Sequence, residues 1–280
     1  MDEDSPVRAR ELERIAVDIA REAGEYIRAN APATVEVAAT KTTDTDVVTA
    51  MDRAVEALIR DRLARVRPGD GFYGEESDPD TSDTGITWVV DPIDGTVNYL
   101  YGLGSFAVSI AAVAGEMTVG GWTALAGAVH DVPGAITWHA ARGNGARREG
   151  VKFTMPGAKE LGHCLVGTGF GYDPRRRIVQ AQTLVTVLPR IRDIRRIGSA
   201  ALDLCRVAAG NLDAMYERGL YPWDFAAGGL LVEEAGGQVI GLRGKAPSGQ
   251  MLVAGAHVVA DQLAGLLAAA GADRDAEPLD

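Results

Sequence analysis

The sequence predicts a mixed α+β protein, and three patterns carry that prediction. Apolar residues recur at helical spacing near the N-terminus, β-branched apolar segments follow one another between Ser105 and Ala140, and helices alternate with short strands through the second half. Leu12, Ile15, Ala16, Ile19, Ala20, Ala23 and Ile27 keep three- and four-residue spacing, so they lie on one face of an opening helix, with Ser5-Pro6 supplying a cap and a first-turn proline. A second helix begins at Thr49, where Asp52 completes a capping pair and Val55, Leu58, Ile59 and Leu63 form the apolar stripe.

Pro68-Gly69-Asp70-Gly71 ends that helix. Ile86 to Val90 reads as a buried strand, and 105–114, 119–129 and 135–140 read as successive antiparallel strands separated by Gly, Asp and Pro. Ser199 can cap a helix through Ala208 that stops at Gly210-Asn211, and 212–217 reads as a strand. Helices over 223–235 and 257–270 and short strands over 238–241 and 251–254 complete the pattern. The expected organisation is a single compact unit over 1–280. An N-terminal α+β half covers 1–155, a C-terminal α/β half covers 156–270, and a frayed acidic tail covers 271–280.

Composition describes an ordinary globular chain: 46% hydrophobic, 24% charged, with 34 glycines among 280 residues. A net charge of −11 disfavours direct binding to nucleic acid or anionic membranes, and it requires bound cations if the substrate is itself an anion. The two cysteines, Cys164 and Cys205, have neither disulfide-framework nor zinc spacing. No apolar leader or membrane-length segment is visible, so a cytoplasmic protein is expected. Arg175 to Arg177 and the run Arg190, Arg192, Arg195, Arg196 could bind phosphate, but a solvated or subunit-facing surface is the preferred reading.

Chemistry is concentrated in carboxylates that fall at the ends of elements: Glu75, Asp91, Asp94, Glu217 and Asp224. Asp91 follows a buried apolar run, which delivers it to a strand end, where α/β folds commonly place ligands. In Asp91-Pro92-Ile93-Asp94-Gly95-Thr96, proline fixes the backbone, glycine permits close approach, and both aspartates can turn toward one point. Such oxygen donors suit Mg²⁺, whereas softer metals would want His or Cys. Backbone N–H groups of Gly95 and Thr96 can then face a phosphate. An Asx-type turn is the competing reading of the segment taken alone.

Together with Gly74-Glu75-Glu76, Gly198-Ser199-Ala200-Ala201-Leu202 and Trp223-Asp224-Phe225-Ala226-Ala227-Gly228, the segment Trp88 to Tyr99 resembles the signatures of the inositol monophosphatase family, in order, over roughly residues 10–265. The resemblance implies a layered αβαβα sandwich of the sugar phosphatase type, commonly a homodimer, and two to three Mg²⁺ ions. It assigns Glu75, Asp91 and the Ile93 carbonyl to one ion, Asp91, Asp94 and Asp224 to a second, and Glu75 with water to a weaker third. Thr96, near Glu75, would orient a water made acidic by the ion, and Gly95 and Thr96 would hold the phosphate. Asp94, Gly198, Ser199, Ala200, Glu217 and Asp224 would contact substrate. Lys41 matches a lysine of a mobile loop, beside Asp44 and Asp46, although the chain carries Thr42-Thr43-Asp44-Thr45 where members often carry Ser-Ser or Ser-Pro. Asp52 is expected to cap its helix, to reach the site through water, or both.

The activity implied is Mg²⁺-dependent hydrolysis of a small phosphorylated polyol, myo-inositol 1-phosphate first, with inhibition by Li⁺ and Ca²⁺. Histidinol phosphate, fructose 1,6-bisphosphate and 3′-phosphoadenosine phosphate are the alternatives that relatives handle, and a protein of transcription complexes is the alternative from another class. The four scattered histidines, His130, His139, His163 and His257, read as structural. Gly167 to Gly171 reads as a strand-to-loop turn, and Glu76 as either support for Glu75 or loop solvation.

Overall fold

The computed structural model describes residues 6–32, 35–41 and 47–275. Its first elements are α1 (Pro6–Asn30), β1 (Val37–Thr40), β2 (Val47–Thr49) and α2 (Ala50–Val66). The apolar stripe of α1 is buried along its length, and α2 starts with the expected box: the Thr49 side chain accepts from Asp52 N while the Thr49 amide donates to Asp52 Oδ2 at 2.8 Å. Ser5, Asp44 and Asp46 lie outside the described residues.

A large sheet follows, built from β3 (Gly71–Gly74), β4 (Ile86–Asp94), β5 (Ala107–Gly115), β6 (Trp122–Asp131), β7 (Ile136–Ala141), β8 (Ala146–Arg148) and β9 (Val151–Lys152), with the short helix α3 (Thr96–Leu100) between β4 and β5. The strands lie in sequence order, and every neighbouring pair is antiparallel except β3 with β4. The strand expected over 86–90 continues to Asp94, and its register against β5 shifts between Asp91 and Asp94. Pro92 has no N–H to give the ladder, so the chain bulges there. Residues 119–121, expected in a strand, instead turn between β5 and β6, with Gly120 at φ +72°.

The remaining elements are β10 (Leu165–Thr168), α4 (Pro174–Val187), β11 (Asp193–Arg195), α5 (Ala200–Ala208), β12 (Ala214–Glu217), α6 (Pro222–Glu234), β13 (Gln238–Ile240), β14 (Leu252–Gly255) and α7 (His257–Ala269). Their five strands form a second sheet in the order β11-β10-β12-β14-β13. The basic run at 175–177 belongs to α4, whose start is signalled by Asp173-Pro174: Asp173 Oδ1 accepts from Arg175 N at 2.8 Å.

Three buried clusters give the layering. α1 and α2 cover one face of the large sheet through Leu12, Ile59, Trp88 and Ile110. On its other face α5 and α6 bring Leu204, Leu230 and Leu231 against Val89 and Ala111, and the same cluster continues into Met215 and Leu252 of the second sheet. α7 closes the far side through Val259, Leu263 and Leu267. The order helix, sheet, helix, sheet, helix is the αβαβα sandwich expected from the resemblance. α6 sits between two sheets, which explains why Phe225 to Val232 is buried without a polar face.

The tail expected to fray from 271 is instead held through 275. Ala272 is buried, Arg218 Nη1 donates to the Arg274 carbonyl, and the same nitrogen lies 2.9 Å from Asp275 Oδ1. No helix among the described residues is long and apolar enough to cross a membrane.

Candidate metal centre

Three carboxylates meet where the two sheets and the middle helices converge. Carboxylate oxygens of Asp91, Asp94 and Asp224 lie within 4.8 Å of one another. The bulge of β4 supplies the first two. Asp91 is fixed by its own turn, with Ile93 N donating to Oδ1 at 3.0 Å. Asp94 is fixed by the start of α5: Ser199 Oγ donates to Oδ2 at 2.5 Å and Ala201 N at 2.7 Å, while Ala200 N reaches Oδ1 at 3.3 Å. Asp224 stands in the first turn of α6, where Tyr221 N donates to its Oδ2 at 2.6 Å. Ser109 on β5 holds that turn against the large sheet by donating to the Trp223 carbonyl at 3.2 Å.

Glu75 completes the acid set from the end of β3. Its carboxyl hydrogen-bonds Asp91 and takes Lys41 Nζ at 2.7 Å, and the same ammonium reaches Glu76 at 2.5 Å. Glu76 is therefore a buried ion-pair partner rather than a solvated loop residue. Its amide donates to Glu56 Oε2 at 2.8 Å, which ties the Glu75 loop to α2.

The crowding of these carboxylates sets up a repulsion that a bound cation would relieve. Burial pushes Glu75 up to about 7 against the pull of Lys41, and Asp94 to about 6 against its hydrogen bonds from Ser199 and α5. Burial, reinforced by neighbouring carboxylates, holds Asp91 and Asp224 well above the usual range. Lys41 is held above its usual value, since Glu75 and Glu76 outweigh the burial that opposes its charge. The donors are all oxygen, which fits a hard divalent cation such as Mg²⁺ rather than zinc or copper.

Gly95 has φ +100°, and a Cβ there would stand 3.0 Å from both the Gly198 and Ser105 carbonyl oxygens. Only glycine fits. Asn98 closes this corner by donating to Ser105 O at 2.7 Å and Ile197 O at 2.9 Å, which sets Gly198 over Gly95. Thr96 corrects the expectation that placed it on Glu75: its Oγ1 lies 3.1 Å from both Asp52 Oδ1 and the Ile93 carbonyl. Asp52, fully buried, thus caps α2 with one oxygen and reaches Thr96 directly with the other, without a bridging water.

A cavity of about 500 Å³ opens over the cluster, and Lys41, Gly95, Thr96, Gly198, Ala200 and Glu217 line it. Ser199 lines it too, although its hydroxyl is committed to Asp94 and to capping α5. Glu217 ends β12; burial, then Asp203 and Asp94, pushes it to about 8. Arg176 and Arg196, read from the sequence as possible phosphate binders but preferably as a solvated or subunit-facing surface, line the cavity, as do Tyr172 and Tyr221, which the sequence did not single out; nor did it single out the buried Asp203. For Arg176 a signal existed, because the Asp173-Pro174 cap begins a helix beside the Gly167 to Gly171 turn. His130 and His139 pair with Thr137 and Glu13, away from the cavity.

The sequence profile of the inositol monophosphatase family matches residues 8–274. The inositol-1-monophosphatase of Mycobacterium bovis is 48% identical over 233 residues, covering 80% of this chain and 78% of the relative. The Nus factor SuhB of Escherichia coli is 40% identical over 230 residues, covering 80% of this chain and 83% of that protein. The solved structure of Mycobacterium tuberculosis SuhB superposes with a TM-score of 0.77 at 43% identity, covering 95% of this chain and 98% of that one. With matching signatures, layering and acid cluster, this chain belongs to the inositol monophosphatase family.

Proposed function

We propose that the protein is a Mg²⁺-dependent phosphomonoesterase acting on small phosphorylated polyols, with myo-inositol 1-phosphate as its leading substrate. The observation that carries this reading is the convergence of the buried Asp91 and Asp94 and the half-buried Asp224 beneath a cavity, where they repel one another. Glu75, Asp91 and the Ile93 carbonyl would hold one cation, and Asp91, Asp94 and Asp224 a second. Divalent cations held there supply charge neutralisation for the phosphate and the leaving alkoxide and make an attacking water more acidic.

The chain's own groups do the rest. Gly95 and Thr96 line the cavity at the start of α3, and their amides would hold phosphate oxygens. Thr96 Oγ1 accepts a proton from the attacking water while its own proton moves to Asp52 Oδ1, 3.1 Å away. Glu75 orients the same water. Glu217, with Gly198 and Ala200, receives polyol hydroxyls, and a Glu217 that keeps its proton near neutral pH can donate as well as accept.

A phosphate-release panel tests the reading: inositol 1-phosphate, histidinol phosphate, fructose 1,6-bisphosphate and 3′-phosphoadenosine phosphate, each with Mg²⁺ and with excess chelator. Mg²⁺-dependent turnover ranked with inositol 1-phosphate first is expected. Turnover that persists in chelator would remove the basis of the proposal. The same reading carries a homodimer, which sedimentation of the purified chain checks, and a cytoplasmic location, which cell fractionation checks.

A second reading, membership of a transcription complex, draws support from the 40% identical relative whose name is that of a Nus factor. The net charge of −11 points such a role toward protein partners rather than nucleic acid. A partner retained by a catalytically dead Asp94→Asn variant would favour it, and absence of any retained transcription protein would count against it.

A further inference from the structure

Arg176 stands in the first turn of α4, and its side chain crosses the wall of the cavity over two glycines. A Cβ on Gly171 would lie 3.0 Å from Arg176 Cδ, and one on Gly219 would lie 2.5 Å from its Nη1. The guanidinium therefore occupies a channel that side chains at either position would close.

Its charge is only partly answered. Arg176 Nε lies 3.9 Å from Asp275 Oδ1, and the same oxygen lies 2.9 Å from Nη1 of the buried Arg218. Two guanidinium groups thus share one carboxylate, and Nε of each is buried without a hydrogen-bond acceptor. Among the described residues, the other nearby acids do not answer that charge. Asp173 caps α4 and pairs with Arg175 at 3.4 Å, and burial, then Asp203 and Asp94, pushes Glu217 up to about 8, so it brings little negative charge near neutral pH. Among the described residues a surplus positive charge therefore remains on the cavity wall, supplied by α4 and the 217–219 segment rather than by the acid cluster.

Resting on the phosphomonoesterase reading, we propose that Arg176 is a specificity-determining residue that receives a second anionic group, phosphate or carboxylate, on the alcohol part of those substrates that carry one. A guanidinium fork matches two oxygens of either group, and its hydrogen bonds to a charged acceptor are stronger than those to a neutral hydroxyl. The subsite discriminates between alcohols, while the acid cluster handles the phosphate that is cleaved.

Fructose 1,6-bisphosphate and fructose 1-phosphate differ only in the second phosphate and form the matched pair for the test. The wild type is expected to favour the bisphosphate by at least about tenfold in kcat/KM, the scale of one hydrogen bond to a charged group. Arg176→Gln collapses that ratio to within about twofold of one, whereas Arg192→Gln, at an exposed position outside the cavity, keeps it. A wild-type ratio near one, or a ratio unchanged in Arg176→Gln, would overturn the proposal. If neither sugar phosphate nor inositol 1-phosphate is hydrolysed, the phosphomonoesterase reading fails, and calorimetric binding of fructose 6-phosphate without divalent metal decides the subsite. Weaker binding by Arg176→Gln supports it, and equal or absent binding by the two proteins overturns it.

Discussion

Ser199 Oγ donates to Asp94 Oδ2 at 2.5 Å and accepts from Leu202 N at 3.3 Å, so one buried hydroxyl both caps α5 and aims a carboxylate of the acid cluster. The consequence is that helix stability and metal binding share a residue. Ser199→Ala removes the cap and one donor to Asp94, and a loss of about 1–2 kcal/mol is expected. Urea unfolding measures that loss. Phosphate release against Mg²⁺ concentration should show a higher half-saturating concentration, and an unchanged metal requirement would separate the two roles.

Gly169 faces Glu217 closely: a Cβ there would stand 2.0 Å from Glu217 Oε1. The φ of Gly169 is not in the left-handed region, so Gly169→Ala strains no backbone and acts by displacing the carboxylate. Steady-state kinetics should show a KM for inositol 1-phosphate raised about tenfold with the Mg²⁺ requirement unchanged, the size expected when one substrate hydrogen bond is lost. Glu217→Gln, which keeps the shape, should raise KM less.

Thr96 and Asp52 form the pair that moves a proton in the proposed reaction, so their loss should fall on kcat. Thr96→Val is nearly isosteric and is expected to lower kcat by about 10²-fold or more with KM little changed. Asp52→Asn tests the same route but also weakens the α2 box, so its unfolding curve must be measured alongside. A Thr96→Val enzyme with wild-type kcat would remove Thr96 from the proton path.

His130 gives a stability prediction away from the site. It is buried, its Nδ1 lies 3.0 Å from Thr137 Oγ1 and its Nε2 lies 3.3 Å from Arg28 Nη1. Burial, then Arg28 and Arg21, lowers it from 6.5 to about 4, with Glu149 opposing. The unfolded chain therefore binds the proton first: the contribution is present above pH 6.5 and is lost as pH falls toward 4. Over that window the loss amounts to about 2–3 kcal/mol. Urea unfolding of wild type and His130→Gln across the window should give a difference that shrinks with falling pH, and a constant difference would contradict the assignment.

Much of this architecture was legible because local signals agreed with the fold. The α1 stripe, the Thr49 and Asp52 box and the Ser199 cap each write a helix into a few residues, and the acids sit beside turn formers at element ends. What the sequence concealed depends on long-range contact. That Ser199 serves Asp94, 105 positions away, and that Thr96 leans on Asp52, 44 positions away, follows from packing between layers. The extension of β4 past Pro92 was hidden because proline usually ends a strand, and here it makes a bulge. Arg176 looked like part of a solvated basic patch because its glycine channel comes from two other segments.

Thermal unfolding of the wild type and of Asp91→Asn, with and without Mg²⁺ and paired with phosphate release, tests the acid cluster most directly. Mg²⁺ is expected to raise the wild-type midpoint and to be required for activity. Asp91→Asn, relieved of mutual repulsion, should be at least as stable as wild type without metal, gain nothing from Mg²⁺ and release almost no phosphate. Wild-type activity in excess chelator, or an Asp91→Asn protein that still responds to Mg²⁺ and turns over normally, would contradict it.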